Sequence, residues 1–117
     1  MDIFQYDEVP AEEVEGVPGV KIRWVIDDNR GAPNYSMRVF EVEPGASTPM
    51  HDHWNEQEMY ILAGCGEART PEGEATEVTP GTVIWVPPYD PHQFVNTGDE
   101  TLRFICVIPN EPEQRID

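Results

Sequence analysis

The chain contains three histidines, His51, His53 and His92, and two of them stand in a His51-Asp52-His53 triplet. Residues i and i+2 of an extended strand point to one face with Cα atoms about 7 Å apart, so two such imidazoles can project together toward one ion. His92 follows an apolar run over 82–86 and the turn Pro87-Pro88-Tyr89-Asp90-Pro91. Neutral imidazole suits Mn, Fe, Co, Ni, Cu or Zn, so this donor set points to a divalent transition metal without naming it. A catalytic ion also needs a coordination position left open for a substrate.

These residues need a frame that brings 51–53 beside 92. Twelve Pro and nine Gly interrupt the chain at short intervals, and Val, Ile, Tyr, Trp and Phe collect between them. That pattern predicts strands near 20–26, 36–43, 58–63, 66–70, 75–79, 82–86, 92–96 and 101–108. No segment carries a long helical period. The acidic stretch 9–16 admits one helical turn, limited by Pro10 and Pro18. Eight short strands separated by turn residues indicate an all-β sandwich or barrel. The polar tail, 109–117, is expected to be poorly ordered or to lie over a neighbour.

The 117 residues fit one domain, 1–117, with enough aromatic bulk for a core. A net charge of -16 repels phosphate backbones and anionic membranes, which argues against nucleic acid and membrane partners. Two separated cysteines, Cys65 and Cys106, make no disulfide framework. The N-terminus lacks the basic and apolar regions of a signal peptide, and no apolar run approaches the roughly 20 residues of a membrane span. A cytoplasmic location is the expectation.

The spacing around the histidines adds weight to the metal reading. Gly45, His51, His53, Gln57 and Gly64 match the pattern G-x5-H-x-H-x3,4-E-x6-G except at the acidic position. Gly81, Pro87, Tyr89, His92 and Asn96 match G-x5-P-x-G-x2-H-x3-N except at its second glycine. With these two motifs, over 45–64 and 81–96, the chain resembles the cupin superfamily. It looks closest to the small manganese-binding single-domain cupins, with Met37-Arg38 before the first motif and Cys106-Val107-Ile108-Pro109 in the last strand. The resemblance implies a double-stranded β-helix, or jelly-roll barrel. It also implies one divalent transition metal ion per chain, Mn first and Fe, Ni or Zn after it. The ligands would be His51, His53, Gln57 and His92, and the assembly a homodimer.

Counting back from Gly64 selects Gln57 as the oxygen donor, whereas counting forward from His53 admits Glu58 as well, so both stay open with Gln57 favoured. A neutral amide would leave the ion its full charge and make it the stronger Lewis acid. Some cupins with Gln in this slot open unsaturated uronate rings. Tyr89 replaces the expected glycine, so its turn should take another shape. Alternation places Phe94 with His92, and Phe104, Cys106 and Ile108 on one face. Phe94, Phe104 and Cys106 would then line the pocket, or Cys106 would be an inert core residue. Trp24, Trp54 and Trp85 read as packing, with Trp54 beside His53 the one to watch. Arg23 and Arg38 could reach an anionic substrate but read as solvated strand residues.

These features favour a metalloenzyme that acts on a small oxygenated or anionic molecule, by dioxygenase-like or isomerase and ring-opening chemistry. The alternative is a non-catalytic ligand-binding or sensor barrel. It is weakened because the chain carries no DNA-binding segment or basic patch.

Overall fold

Alternation of apolar and polar side chains decides most of the architecture. The computed structural model describes residues 1–110. Its strands are β1 (Glu12–Glu13), β2 (Val20–Ile26), β3 (Tyr35–Val42), β4 (Gln57–Ala63), β5 (Gly66–Arg69), β6 (Ala75–Val78), β7 (Val83–Val86), β8 (Gln93–Asn96) and β9 (Leu102–Pro109). One antiparallel sheet runs β1-β2-β3-β9-β4-β7 and the other β6-β5-β8. The two make the jelly-roll barrel. The loop between β3 and β4 pairs with β8 and the residues before it, through the bridges Ser47↔Val95 and His51↔His92. No helix among the described residues is long and apolar enough to cross a membrane.

The inner face of the large sheet is built in rows. Register places Ile22, Phe40, Phe104 and Ile61 side by side across β2, β3, β9 and β4. One step along, Trp24, Arg38, Cys106 and Met59 form the next row. The Phe40 and Phe104 rings stack at 5.3 Å, and Phe94 from β8 leans on Phe104 at 5.6 Å. Burying one such aromatic side chain contributes about 1.5–3 kcal/mol. This cluster is therefore what joins the two sheets.

Two local expectations fail. The stretch 9–16 forms no helical turn: a 3-10 turn lies earlier, at Tyr6–Glu8, and Glu12 and Glu13 pair with Ile22 and Lys21 of β2. The exposed edge of β2 offers backbone partners that a turn between Pro10 and Pro18 cannot match. The tail begins later than expected, since Pro109 belongs to β9 and Asn110 is buried. Asn110 accepts from Ser36 Oγ at 2.7 Å and donates to the Ala32 carbonyl at 3.1 Å. The rest of that expectation, over 111–117, lies outside the described residues.

Tyr89 corrects a third expectation. It keeps the left-handed conformation that the motif's glycine would adopt, at φ 61°, and its N–H donates to the His53 carbonyl at 2.8 Å. The side chain is exposed and gains little burial in return. A left-handed non-glycine residue costs about 1–2 kcal/mol, and glycine returns about 0.5–1 of that through chain entropy. Tyr89→Gly should therefore stabilise the fold by about 0.5–1 kcal/mol in urea unfolding. Destabilisation would mean that the Tyr89 ring makes a contact stronger than the strain.

Candidate metal centre

The first motif lies on extended backbone rather than in a long strand. His51 and His92 exchange backbone hydrogen bonds, His51 N–H to His92 O at 3.1 Å and His92 N–H to His51 O at 3.0 Å. This reciprocal pair fixes the spacing of two candidate ligands from distant parts of the chain. His53 lies two residues on, held by the bond from Tyr89.

The three imidazoles form a nearly equilateral cluster. Ring centroids are 5.2 Å apart for His51 and His53, 5.0 Å for His51 and His92, and 5.0 Å for His53 and His92. One ring nitrogen from each lies within 4.8 Å of the other two. His53 Nδ1 is 2.7 Å from the Asn55 carbonyl, and His92 Nδ1 is 2.7 Å from that of Asp90. A carbonyl can only accept, so both Nδ1 atoms carry a proton, and in the neutral ring that leaves the lone pair on Nε2. Such carbonyl partners commonly orient a metal-ligating histidine. His92 Nε2 is buried with no hydrogen-bond partner. An orphaned lone pair beside two further imidazoles is what a bound cation would satisfy, so the residues present fit a divalent metal.

Electrostatics favours the ligating form. His51 and His92 lie below the ordinary imidazole pKa, each chiefly because burial disfavours its charge. His92, His53 and Arg38 lower His51 further, while the Asp90 carbonyl partly offsets the shift at His92. The unfolded chain therefore takes up protons first as pH falls. The contribution of these groups to metal-free stability is full above about pH 6.5 and is lost below it, as pH falls through the lowered values. Urea unfolding of metal-free protein between pH 7.5 and 5 should show this loss, and the His51→Gln/His92→Gln double variant should lack it. An unchanged pH slope in the double variant would contradict the assignment.

The histidines open onto a cavity of about 680 Å³. Phe94, Phe104 and Cys106 line it, together with Trp24, Arg38, Phe40 and Gln57. Along β4, Gln57, Met59 and Ile61 are buried, while Glu58, Tyr60 and Leu62 face out. Gln57 therefore shares the cavity with the histidines and Glu58 points away. The Gln57 Oε1 accepts from Arg38 Nη2 at 3.2 Å, and its Nε2 lies 3.2 Å from Met59 Sδ. Gly64 ends the strand at φ 78°, where a Cβ would collide with the Thr101 carbonyl, so the spacing back from this glycine marks the inward register.

Cys106 is buried, and burial pushes its thiol up to about 12, with Arg38 opposing the shift. It is a protonated wall residue at neutral pH and no nucleophile. Trp85 is exposed and donates to Glu56 at 2.8 Å, so it packs no core. Trp54 lies outside the lining of the cavity, whereas Trp24 belongs to it. Arg23 sits partly buried against Glu41 at 3.4 Å and donates to the Val9 carbonyl at 2.7 Å, so it anchors the N-terminal segment. Arg38, which the sequence offers as a contact for an anionic substrate but favours as a solvated strand residue, lies in the cavity wall. It shares the inner row with Trp24 and Cys106, and alternation with Phe40 and Val42 was the signal that could have found it.

Known proteins share this barrel. The polyketide cyclase RemF of Streptomyces resistomycificus superposes with a TM-score of 0.89 at 38% identity, over 95% of this chain and 80% of that one. A predicted oxalate decarboxylase of Thermotoga maritima has the same fold, with a TM-score of 0.80 at 22% identity over 94% of this chain and all of that one (100%). Glucose-6-phosphate isomerase of Pyrococcus abyssi is 45% identical over 64 residues, 50% of this chain and 34% of that enzyme. The chain thus spans about a third of that curated relative. The family model described as "Cupin domain" matches residues 38–108, from the cavity arginine through the last strand. With most of the chain matched to that model and its barrel shared with solved structures, this protein belongs to the cupin family.

Proposed function

We propose that this protein is a metal-dependent enzyme acting on an apolar molecule that carries several carbonyl or hydroxyl oxygens, the kind of molecule a polyketide cyclase takes. One observation carries the reading: the three-histidine cluster opens into a cavity walled mainly by Val20, Ile22, Phe40, Phe94, Phe104 and Ile108. Its volume of about 680 Å³ lies within the usual range for small-molecule sites. The likeness to RemF supports the same substrate class.

His51, His53 and His92 would hold the ion. Gln57 would be the fourth donor, since an amide oxygen that accepts from Arg38 keeps a second lone pair. Mn leads among the candidate metals, with Fe, Ni and Zn after it. A divalent ion there supplies Lewis-acid polarisation of a substrate carbonyl. The aromatic wall excludes water from the reacting carbon, and the Cys106 thiol keeps its proton.

A second reading, a sugar-phosphate isomerase, draws on the local identity to the glucose-6-phosphate isomerases and on a cation, Arg38, in the cavity. The dominance of apolar walls disfavours it. Benzoylacetone, an apolar 1,3-diketone, separates the two. Metal-loaded protein should bind it in one-to-one ratio with a shift of its enolate absorption band, and glucose 6-phosphate should not displace it. Turnover of fructose 6-phosphate without any diketone binding would overturn the proposal in favour of the isomerase.

A further inference from the structure

Arg38 is a cation in a largely apolar cavity, and among the described residues no acid pairs with it. Among the described residues it joins no salt bridge, and its Nη2 donates one hydrogen bond to the neutral Gln57 amide. Its Nε is buried without a partner. The guanidinium carbon lies 5.4 Å from the Trp24 ring centroid and 4.9 Å from that of Phe40. Two aromatic faces so placed compensate part of the cost of removing a charge from water. They leave most of the guanidinium's five N–H donors for another acceptor.

The charge around the cavity is unbalanced. The protein carries a formal charge of -16, yet among the described residues the acids lining this cavity are Glu12 and Glu13, both exposed on β1, with Asp52 and Asp90 near the histidines rather than against Arg38. Arg38 and the histidine cluster line the same cavity. A bound divalent ion would add to the positive charge. Buried cations in protein interiors are ordinarily paired, and here the missing partner has room to arrive from solution.

We propose that Arg38 is the anchor for a carboxylate on the ligand, so that the molecule taken by this cavity is an apolar or aromatic carboxylic acid. A guanidinium beside two aromatic rings presents a planar fork, which matches a planar carboxylate on a flat apolar body. A phosphate dianion calls for several cationic or amide donors, and the cavity lining offers one arginine and no lysine. This inference rests on the proposed use of the same cavity, and it narrows the substrate class to acids.

Benzoate binding to metal-free protein, followed by tryptophan fluorescence and calorimetry, tests the anchor apart from the metal. Wild type should bind benzoate at least about tenfold more tightly than benzyl alcohol and than inorganic phosphate. Arg38→Met should lose that preference, and Arg38→Lys should keep part of it. Circular dichroism checks that both variants fold, and a diminished fluorescence response in Trp24→Phe would place the ligand beside Arg38. Equal affinity for benzoate and benzyl alcohol, or unchanged benzoate binding in a folded Arg38→Met, would overturn the proposal. Tighter binding of phosphate would overturn the carboxylate assignment. Failure of wild type to bind any metal while still preferring benzoate would sink the enzyme reading and leave the anchor standing.

Discussion

Replacing His92 with alanine should cost the protein its metal. Loss of a mere outer partner of a ligand costs about 10–100-fold in affinity, so removal of the ligand itself should exceed about 100-fold. His92 is the most telling of the three because its Nε2 is buried and has no hydrogen-bond partner of its own. The effect should appear as lost thermal stabilisation. Metal at 100 times its dissociation constant stabilises a fold by about 2.7 kcal/mol, so the wild-type midpoint should rise on metal addition. The His92→Ala midpoint should not move. An equal rise in both proteins would place the ion elsewhere.

Much of this centre was legible in the sequence, for a physical reason. His51, His53, Gly64 and His92 are constrained by backbone geometry, so their spacing survives in the linear order. β4 runs without interruption from Gln57 to Ala63, and counting back from the Gly64 bend gives its inward face. The inward placement of Arg38 was only half legible: alternation with Phe40 and Val42 points it inward, but a charged residue on a strand ordinarily faces water. Its inward placement depends on Trp24 and Cys106 beside it in the register, which are pairings between strands. Trp85 fails in the opposite sense: it reads as core but lies on the outer face of β7, an edge strand. The short β1 was missed because its two glutamates carry no strand signal and pair only because β2 has an open edge.

Asn96→Ala should lower stability by about 2–4 kcal/mol, with the histidines untouched. The Asn96 side chain is almost wholly buried. Its Nδ2 donates to the Val42 and Glu100 carbonyls, each at 2.8 Å, and its Oδ1 accepts from Gly98 N–H at 2.9 Å. It therefore ties the end of β3 to the turn between β8 and β9. Alanine removes all three of these hydrogen bonds from a buried place, and each such bond contributes about 0.5–1.5 kcal/mol net. Asn96→Asp should do at least as much harm, since a carboxylate would face two carbonyl oxygens. Urea unfolding measures both variants, and a loss below about 1 kcal/mol in Asn96→Ala would show that the turn finds other partners.

The central claim is that His51, His53 and His92 hold one ion together. X-ray absorption on protein loaded in turn with Mn, Fe, Ni and Zn, with elemental analysis of the same samples, tests it most directly. The expected result is close to one ion per chain, with outer-shell scattering from three imidazoles and no sulfur ligand. Failure to bind any of the four metals, or scattering from fewer than two imidazoles, would contradict it.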